Sequence, residues 1–373
     1  MKDRSGLRIA IVGTRGIPAC YGGFETFAEE LSTRLVKRGY VVSVYGRRPF
    51  GKIYEGPKKY KEVDLIVLPT IMHKYLETPL HALMCFLDLF RRSFDVILVC
   101  NAATAPFSWL VRLRRIPFLI NVDGIERKRG KWNLLGRCWY RLGEICSVLF
   151  ANRVVCDAKV IADYYRKVYG CHGEVVAYGA NAPRIKAGPT LAKFNLKERQ
   201  YLLYVSRLEP ENNALGVIQA YNALITEMPL VIVGDAPYAR DYIAELKRVA
   251  RSNVIFTGFQ FGQAYQELQS NCYLYIQATE VGGTHPALIE AMTYGNCVVA
   301  NGTPENLEVL DNAGVFYPKN NFGDLAHKLE LLLNDSETLE RYRVLARERA
   351  KRLYNWDRIV EQYEALFREL VKA

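Results

Sequence analysis

No long hydrophobic run stands anywhere in the chain. The longest apolar stretch, residues 81–90, is ten residues long and contains Asp88, well short of the roughly 20 that a spanning helix needs. An integral membrane protein is therefore not expected. Histidine is scarce, with five scattered residues, and the nine cysteines stand singly without a C-x-x-C. That spacing argues against a disulfide framework and a structural zinc site. Several cysteines sit inside apolar runs, as Cys100 follows Val99 and Cys156 follows Val155, so reduced structural thiols of a cytosolic chain are expected. The front passes from charged residues straight into a short apolar run, without the h-region of a signal peptide. Neither G-x-G-x-x-G nor G-x-x-x-x-G-K-[ST] occurs, which removes two nucleotide-binding signatures. An Asp-x-Asp pair, low-complexity tracts and internal repeats are missing as well.

Basic charge, by contrast, is in excess, with a net charge of +11. Nucleic acid, an anionic membrane surface and phosphorylated substrates are the partners that such a balance allows. Two clusters carry much of it: Arg47, Arg48, Lys52, Lys58, Lys59 and Lys61 in one segment, Arg127, Lys128, Arg129 and Lys131 in another. A solvated basic face explains them equally well.

At 373 residues the chain exceeds the roughly 250–300 that one core serves, so two domains are expected. Short apolar runs alternate with amphipathic segments. LRIAIVG (7–13), YVVSVYG (40–46), DLIVL (64–68), DVILVC (95–100), PFLINVD (117–123) and RVVCDA (153–158) read as strands. After a break around 180–200 the pattern restarts with YLLYVSR (201–207), LVIVGD (230–235), NVIFTG (253–258), CYLYIQA (272–278) and NCVVAN (296–301). Such alternation predicts parallel βαβ units in two doubly wound sheets. The domains are expected at 1–185 and 196–355, followed by an amphipathic helix over 356–373.

Ligands of open α/β sheets gather beyond the carboxyl ends of the strands. Three segments hold such positions. The first strand runs into Gly13-Thr-Arg15-Gly16 and on to Gly22-Gly23-Phe-Glu25, a loop whose backbone N–H groups and following helix start suit an anion or a sugar. Ser206-Arg207-Leu-Glu-Pro-Glu-Asn212 follows the first strand of the second set; the arginine fork suits paired phosphate oxygens, and an ion pair with Glu209 or Glu211 is the plain alternative. Glu280-Val-Gly282-Gly283-Thr284-His285-Pro286 leads into a helix bearing Glu290. Its glycines would offer backbone donors at a helix N-terminus, and Glu290 would accept from ribose hydroxyls.

SRLEPENN, then VGD, TG, GGTHPALIEAM and YG, in this order, resemble the second domain of family 4 retaining glycosyltransferases of the GT-B fold. GTRGIPACYGGFETFAEEL, NVDGIERKRGKW, VVCDAKVIADYY and YGAN are similar to a bacterial rhamnosyltransferase subgroup of that family. The resemblance implies two Rossmann-like doubly wound domains facing a cleft, the first binding acceptor and the second binding the nucleotide sugar, with the terminal helix packed back on the first. It implies donor contacts by Gly22, Gly23, Arg207, Asn212, Gly234, Gly258, Gly282, Gly283, Thr284, His285 and Glu290. Acceptor contacts fall to Arg15, Tyr21, Asp123 and Glu126, and the catalytic roles to Asp123, Arg207 and Glu290. Two departures stand out: Asn212 replaces the family's lysine, and Gly282 occupies the first position of its E-x7-E motif, leaving Glu280 or His285 to reach the sugar. Asp123 and Glu126 could equally cap a helix and pair with Arg127 or Arg129.

The reaction so implied is a same-face substitution without metal or cofactor. The donor would be dTDP-L-rhamnose, and the acceptor a lipid-pyrophosphate-linked glycan at the inner face of the cell membrane. The basic clusters, with the apolar segment 76–90, would dock on the anionic surface, and no nucleic acid would be bound. A UDP- or GDP-sugar transferase, an epimerase that cleaves UDP-GlcNAc, and a basic nucleic-acid-binding module are the alternatives.

Overall fold

The computed structural model describes residues 6–19, 22–73, 75–130, 132–237 and 239–372. Two compact units divide the chain. One comprises Met1–Lys128, Trp132–Tyr178 and Trp356–Ala373; the other comprises Arg129–Lys131 and Gly179–Asn355.

The first unit is built on eight strands: β1 (Arg8–Val12), β2 (Val41–Pro49), β3 (Lys59–Tyr60), β4 (Val63–Thr70), β5 (Val96–Cys100), β6 (Phe118–Asn121), β7 (Arg153–Cys156) and β8 (Glu174–Val175). Their order is β3-β4-β2-β1-β5-β6-β7-β8. All neighbours pair in parallel except β3, which runs antiparallel to β4. That hairpin turns through Lys61 and Glu62, both at positive φ, the geometry of a tight turn matched to strand twist. β1 and β5 are apolar throughout their inner residues and buried on both sides, as parallel strands covered by helices must be. The order reverses between β1 and β5. At that point an added Cβ on Gly13 would lie 2.0 Å from the carbonyl oxygen of Cys100, so only glycine lets the two strand ends approach.

The helix Trp356–Lys372 buries Trp356, Ile359, Val360, Tyr363, Phe367 and Leu370, an i, i+3, i+4, i+7 stripe facing a core. Phe27 meets Tyr363 with ring centroids 5.4 Å apart, and Asn121 donates to the Tyr363 hydroxyl at 2.9 Å.

The second unit holds β9 (Leu202–Val205), β10 (Leu230–Val233), β11 (Val254–Gly258), β12 (Leu274–Gln277), β13 (Cys297–Asn301) and β14 (Val315–Tyr317). They form an all-parallel sheet in the order β11-β10-β9-β12-β13-β14. Here the reversal falls between β9 and β12. The irregular-looking stretch after residue 180 contains a helix, Pro189–Lys193, tied down by one carboxylate. Glu267 accepts from the backbone N–H groups of Gly188, Thr190 and Leu191 at 2.8, 3.2 and 2.8 Å.

Among the described residues no helix is long and apolar enough to cross a membrane. The segment 76–90 is part core and part surface: its helix, Glu77–Arg91, buries His81, Ala82, Cys85, Phe86 and Leu89, while Leu76, Leu87 and Phe90 are exposed. The first basic cluster is also partly neutralised. Arg47 is buried against Glu77 at 3.1 Å, and Lys61 pairs with Glu29 at 3.1 Å.

Candidate active site

In the second unit the loops after β9 and β12 meet at the reversal of strand order, where ligands of open α/β sheets bind. The Glu280 N–H donates to the Glu211 carbonyl at 3.0 Å, joining the two loops. Arg207 leaves the end of β9 partly exposed, with Glu209 3.9 Å away. That distance is a loose ion pair. Asn212 is buried and donates to the Arg207 carbonyl at 2.7 Å. That bond steadies the arginine loop.

Gly234 follows β10 at φ +138°, where an added Cβ would lie 1.8 Å from the Ser206 carbonyl oxygen. Its N–H donates to the Gly258 carbonyl at 2.9 Å, so these glycines let three strand ends crowd together. Beyond β12, Gly282, Gly283 and Thr284 are buried, and the helix Pro286–Thr293 starts with His285 as its N-cap. An added Cβ on Gly282 would stand 2.3 Å from Cε1 of His285. The imidazole thus lies over the glycine, in the space that a side chain at 282 would need. Burial lowers the His285 pKa to about 3, helped by the Arg129 and Arg207 cations, so the ring is neutral at ordinary pH.

Glu290, one turn into that helix, accepts from the Tyr265 hydroxyl at 2.5 Å, and Tyr265 in turn accepts from Gln269 at 2.9 Å. Glu280 pairs with Lys319 at 3.1 Å. Of the two residues proposed to replace the missing carboxylate, His285 is the one set against Gly282.

In the first unit the loop after β1 and the helix Gly23–Lys37 start together. Gly22 is the N-cap and Gly23 the first helical residue. Glu25, buried in the first turn, accepts from the Arg15 backbone N–H at 2.8 Å. The Arg15 guanidinium reaches Glu77 at 3.0 Å. Asp123 follows β6 at φ +54°, a conformation that costs a non-glycine residue and is often found at functional sites. Its N–H donates to Asn121 Oδ1 at 3.1 Å, and its carboxylate accepts from Tyr178 at 3.3 Å. Burial pushes the Cys100 thiol well up, with the Glu25 and Asp123 carboxylates adding to it, which places both acids around one strand end. Glu126 opens a short 3-10 turn. Arg127 pairs with Glu144 at 3.1 Å. Tyr21 lies outside the described residues, as do Cys20 and Lys131.

Several side chains were given no site role in the sequence reading: Glu25, Asn121 and Tyr178 in the first unit and Tyr265 in the second, while Glu211 was named only as a possible ion-pair partner of Arg207. Only Glu25 carried a local signal, an acid three residues beyond the cap of a helix. Glu211 is buried, and neither carboxylate oxygen accepts a hydrogen bond among the described residues; Arg129 stands 3.8 Å away.

Two Rossmann-like doubly wound units, each with loops gathered at its own switch point, define the GT-B class of fold. Residues 21–181 match the model of Glycosyltransferase Family 4, and residues 190–349 that of Glycosyl transferases group 1. The two matches follow one another along the chain. The O-antigen chain mannosyltransferase B of Escherichia coli is 28% identical over 155 residues, 40% of this chain and 41% of that protein. The N-acetylgalactosamine-N,N'-diacetylbacillosaminyl-diphospho-undecaprenol 4-alpha-N-acetylgalactosaminyltransferase of Campylobacter jejuni is 26% identical over 160 residues, 42% of this chain and 43% of that one. The chain thus matches about two fifths of the length of these relatives. HepE of Anabaena, solved in complex with UDP-glucose, has a TM-score of 0.79 at 15% identity, over 97% of this chain and 99% of that one. That likeness establishes the fold.

Proposed function

We propose that the chain is a retaining glycosyltransferase that holds a nucleoside-diphosphate sugar in its second unit and passes the sugar to a hydroxyl of a lipid-diphosphate-linked saccharide. The observation that carries this reading is the juxtaposition of Arg207, the Gly282–Thr284 loop and the N-terminus of helix Pro286–Thr293 at one switch point. A guanidinium and a helix N-terminus together stabilise the charge that grows on a leaving diphosphate. Glu290, steadied by Tyr265, accepts from the ribose. The neutral His285 ring, set over Gly282, offers the sugar a hydrogen bond without adding charge. In the first unit, Asp123 and Arg15 serve the acceptor. The acceptor oxygen attacks the anomeric carbon as its bond to the diphosphate breaks, and the proton passes to a leaving phosphate oxygen. No step calls for a metal. The names of the C. jejuni relative and of the Anabaena complex are in keeping with a lipid-diphosphate acceptor and a nucleotide-sugar donor.

For the sugar we propose L-rhamnose from dTDP-L-rhamnose. A 6-deoxy sugar presents fewer hydroxyls, which suits a site where glycine and a neutral ring replace a carboxylate. Nucleotide release from dTDP-rhamnose, UDP-glucose, UDP-GlcNAc and GDP-mannose, each with a lipid-diphosphate saccharide, tests both levels. Faster turnover of another donor removes rhamnose and keeps the transferase. Turnover of none removes the transferase reading.

A further inference from the structure

The helix Leu134–Phe150 in the first unit is amphipathic in an unusual sense. Its inner face holds Gly136, Tyr140, Gly143, Glu144 and Ser147. At Gly143 an added Cβ would lie 2.3 Å from the Ala102 carbonyl oxygen, so the helix is pressed tightly onto the 3-10 helix Ala102–Phe107. Its outer face is apolar. Leu134, Leu135 and Leu149 are 77%, 76% and 67% exposed, and Leu142 and Ile145 are exposed beside them. At 100° per residue, 135, 142, 145 and 149 fall on one side, with 137 and 141 along its margin.

On that margin lies an open pocket of about 470 Å³ lined by Arg127, Lys128, Arg137, Arg141 and Cys138. Its cations are held from beneath. Buried Glu144 accepts from Arg127 at 3.1 Å and from the hydroxyls of Tyr164 and Tyr169 at 2.8 and 2.6 Å. Arg127 donates to Tyr164 at 2.6 Å, and Arg141 lies 5.0 Å over the Tyr169 ring. Arg137 has no carboxylate partner among the described residues. Four cations over a single buried carboxylate call for a multiply charged anion, and the leucine face beside them calls for hydrocarbon. An amphiphile supplies both.

We infer that this pocket binds the diphosphate of a lipid diphosphate lying in a bilayer, with the leucine face in the interfacial layer. The inference rests on the glycosyltransferase reading for its biological sense and names where the lipid end of the acceptor is held. Vesicle flotation of the full chain tests it, with neutral vesicles carrying either polyprenyl diphosphate or phosphatidylglycerol at matched charge, and inorganic diphosphate as competitor. The diphosphate lipid is expected to be preferred. Arg137→Ala with Arg141→Ala should weaken that binding about fivefold per cation removed. Leu142→Ser with Leu149→Ser should weaken binding to both vesicle types while leaving inorganic diphosphate binding intact. Equal binding to the two vesicle types, or unchanged binding in the arginine variant, overturns the site. Nucleotide release to a water-soluble acceptor analogue is read in parallel. It tests the transferase reading separately and should survive both double substitutions, since none of the four residues is assigned a contact with the donor or with the acceptor saccharide.

Discussion

At Gly282 the nearest obstacle to a side chain is the His285 ring, 2.3 Å from a would-be Cβ. Gly282→Ala must therefore displace the imidazole or strain the loop, at a cost of about 1–3 kcal/mol by the usual measure of overpacking. The cost should largely vanish in a His285→Ala background. Chemical denaturation of the wild type, the two single variants and the double variant measures that coupling; additive effects would mean that the ring does not occupy the space. Arg207→Ala and Glu290→Gln belong to the same scale. Loss of the Arg207 contact to developing diphosphate charge costs roughly 10²–10³ in rate, and loss of the charge on Glu290, which weakens its hydrogen bond from the ribose, costs about 10–100-fold; nucleotide release should fall by these factors with the fold unchanged. Near-normal rates in folded variants would move the donor site elsewhere.

Among elements, Glu267 is the clearest case of one side chain holding a segment. Burial acts to raise its pKa, and the hydrogen bonds from Leu191, Thr190 and Gly188 outweigh it, leaving the group below 4.5. Glu267→Gln keeps the shape and loses the charge, so about 2 kcal/mol of stability should go with it. Urea midpoints at neutral pH check this, and an unchanged midpoint would mean that solvent takes over the capping. This contact also shows what the sequence could not reveal. The longer strands and the terminal helix were legible because their apolar periods are intact. β3, β8 and β14 were not, since two or three residues carry no period. The stretch after 180 read as a break because its order comes from a carboxylate more than 70 residues away. The site divides the same way. Arg207, Gly282 and Glu290 are readable from their places at strand and helix ends. Tyr265 beneath Glu290, and Tyr178 against Asp123, come from folding distant segments together.

Across the whole molecule each unit holds one histidine with a strongly lowered pKa, His81 buried and His285 half-buried. His81 donates from Nε2 to the Gly46 carbonyl at 2.9 Å, and burial, with Arg47 nearby, takes its pKa to about 3. His285 in the second unit is also at about 3. In the unfolded chain both return to about 6.5. Between those values the unfolded state binds protons that the folded state refuses, so stability is full above pH 6.5 and falls as pH drops toward 3. The carboxylate of Glu267 adds to the loss only below about pH 4.5. The first part of the acid decline, between pH 6.5 and 5, should therefore belong to the histidines and appear in both units. His285→Asn should flatten the decline of the second unit there, and His81→Asn that of the first, each at some cost in absolute stability. Hydrogen exchange at pH 7 and pH 5, read separately for amides of β1 and of β9, resolves the two. A wild-type chain whose protection at both strands is unchanged between these pH values would show that neither ring is held neutral by burial.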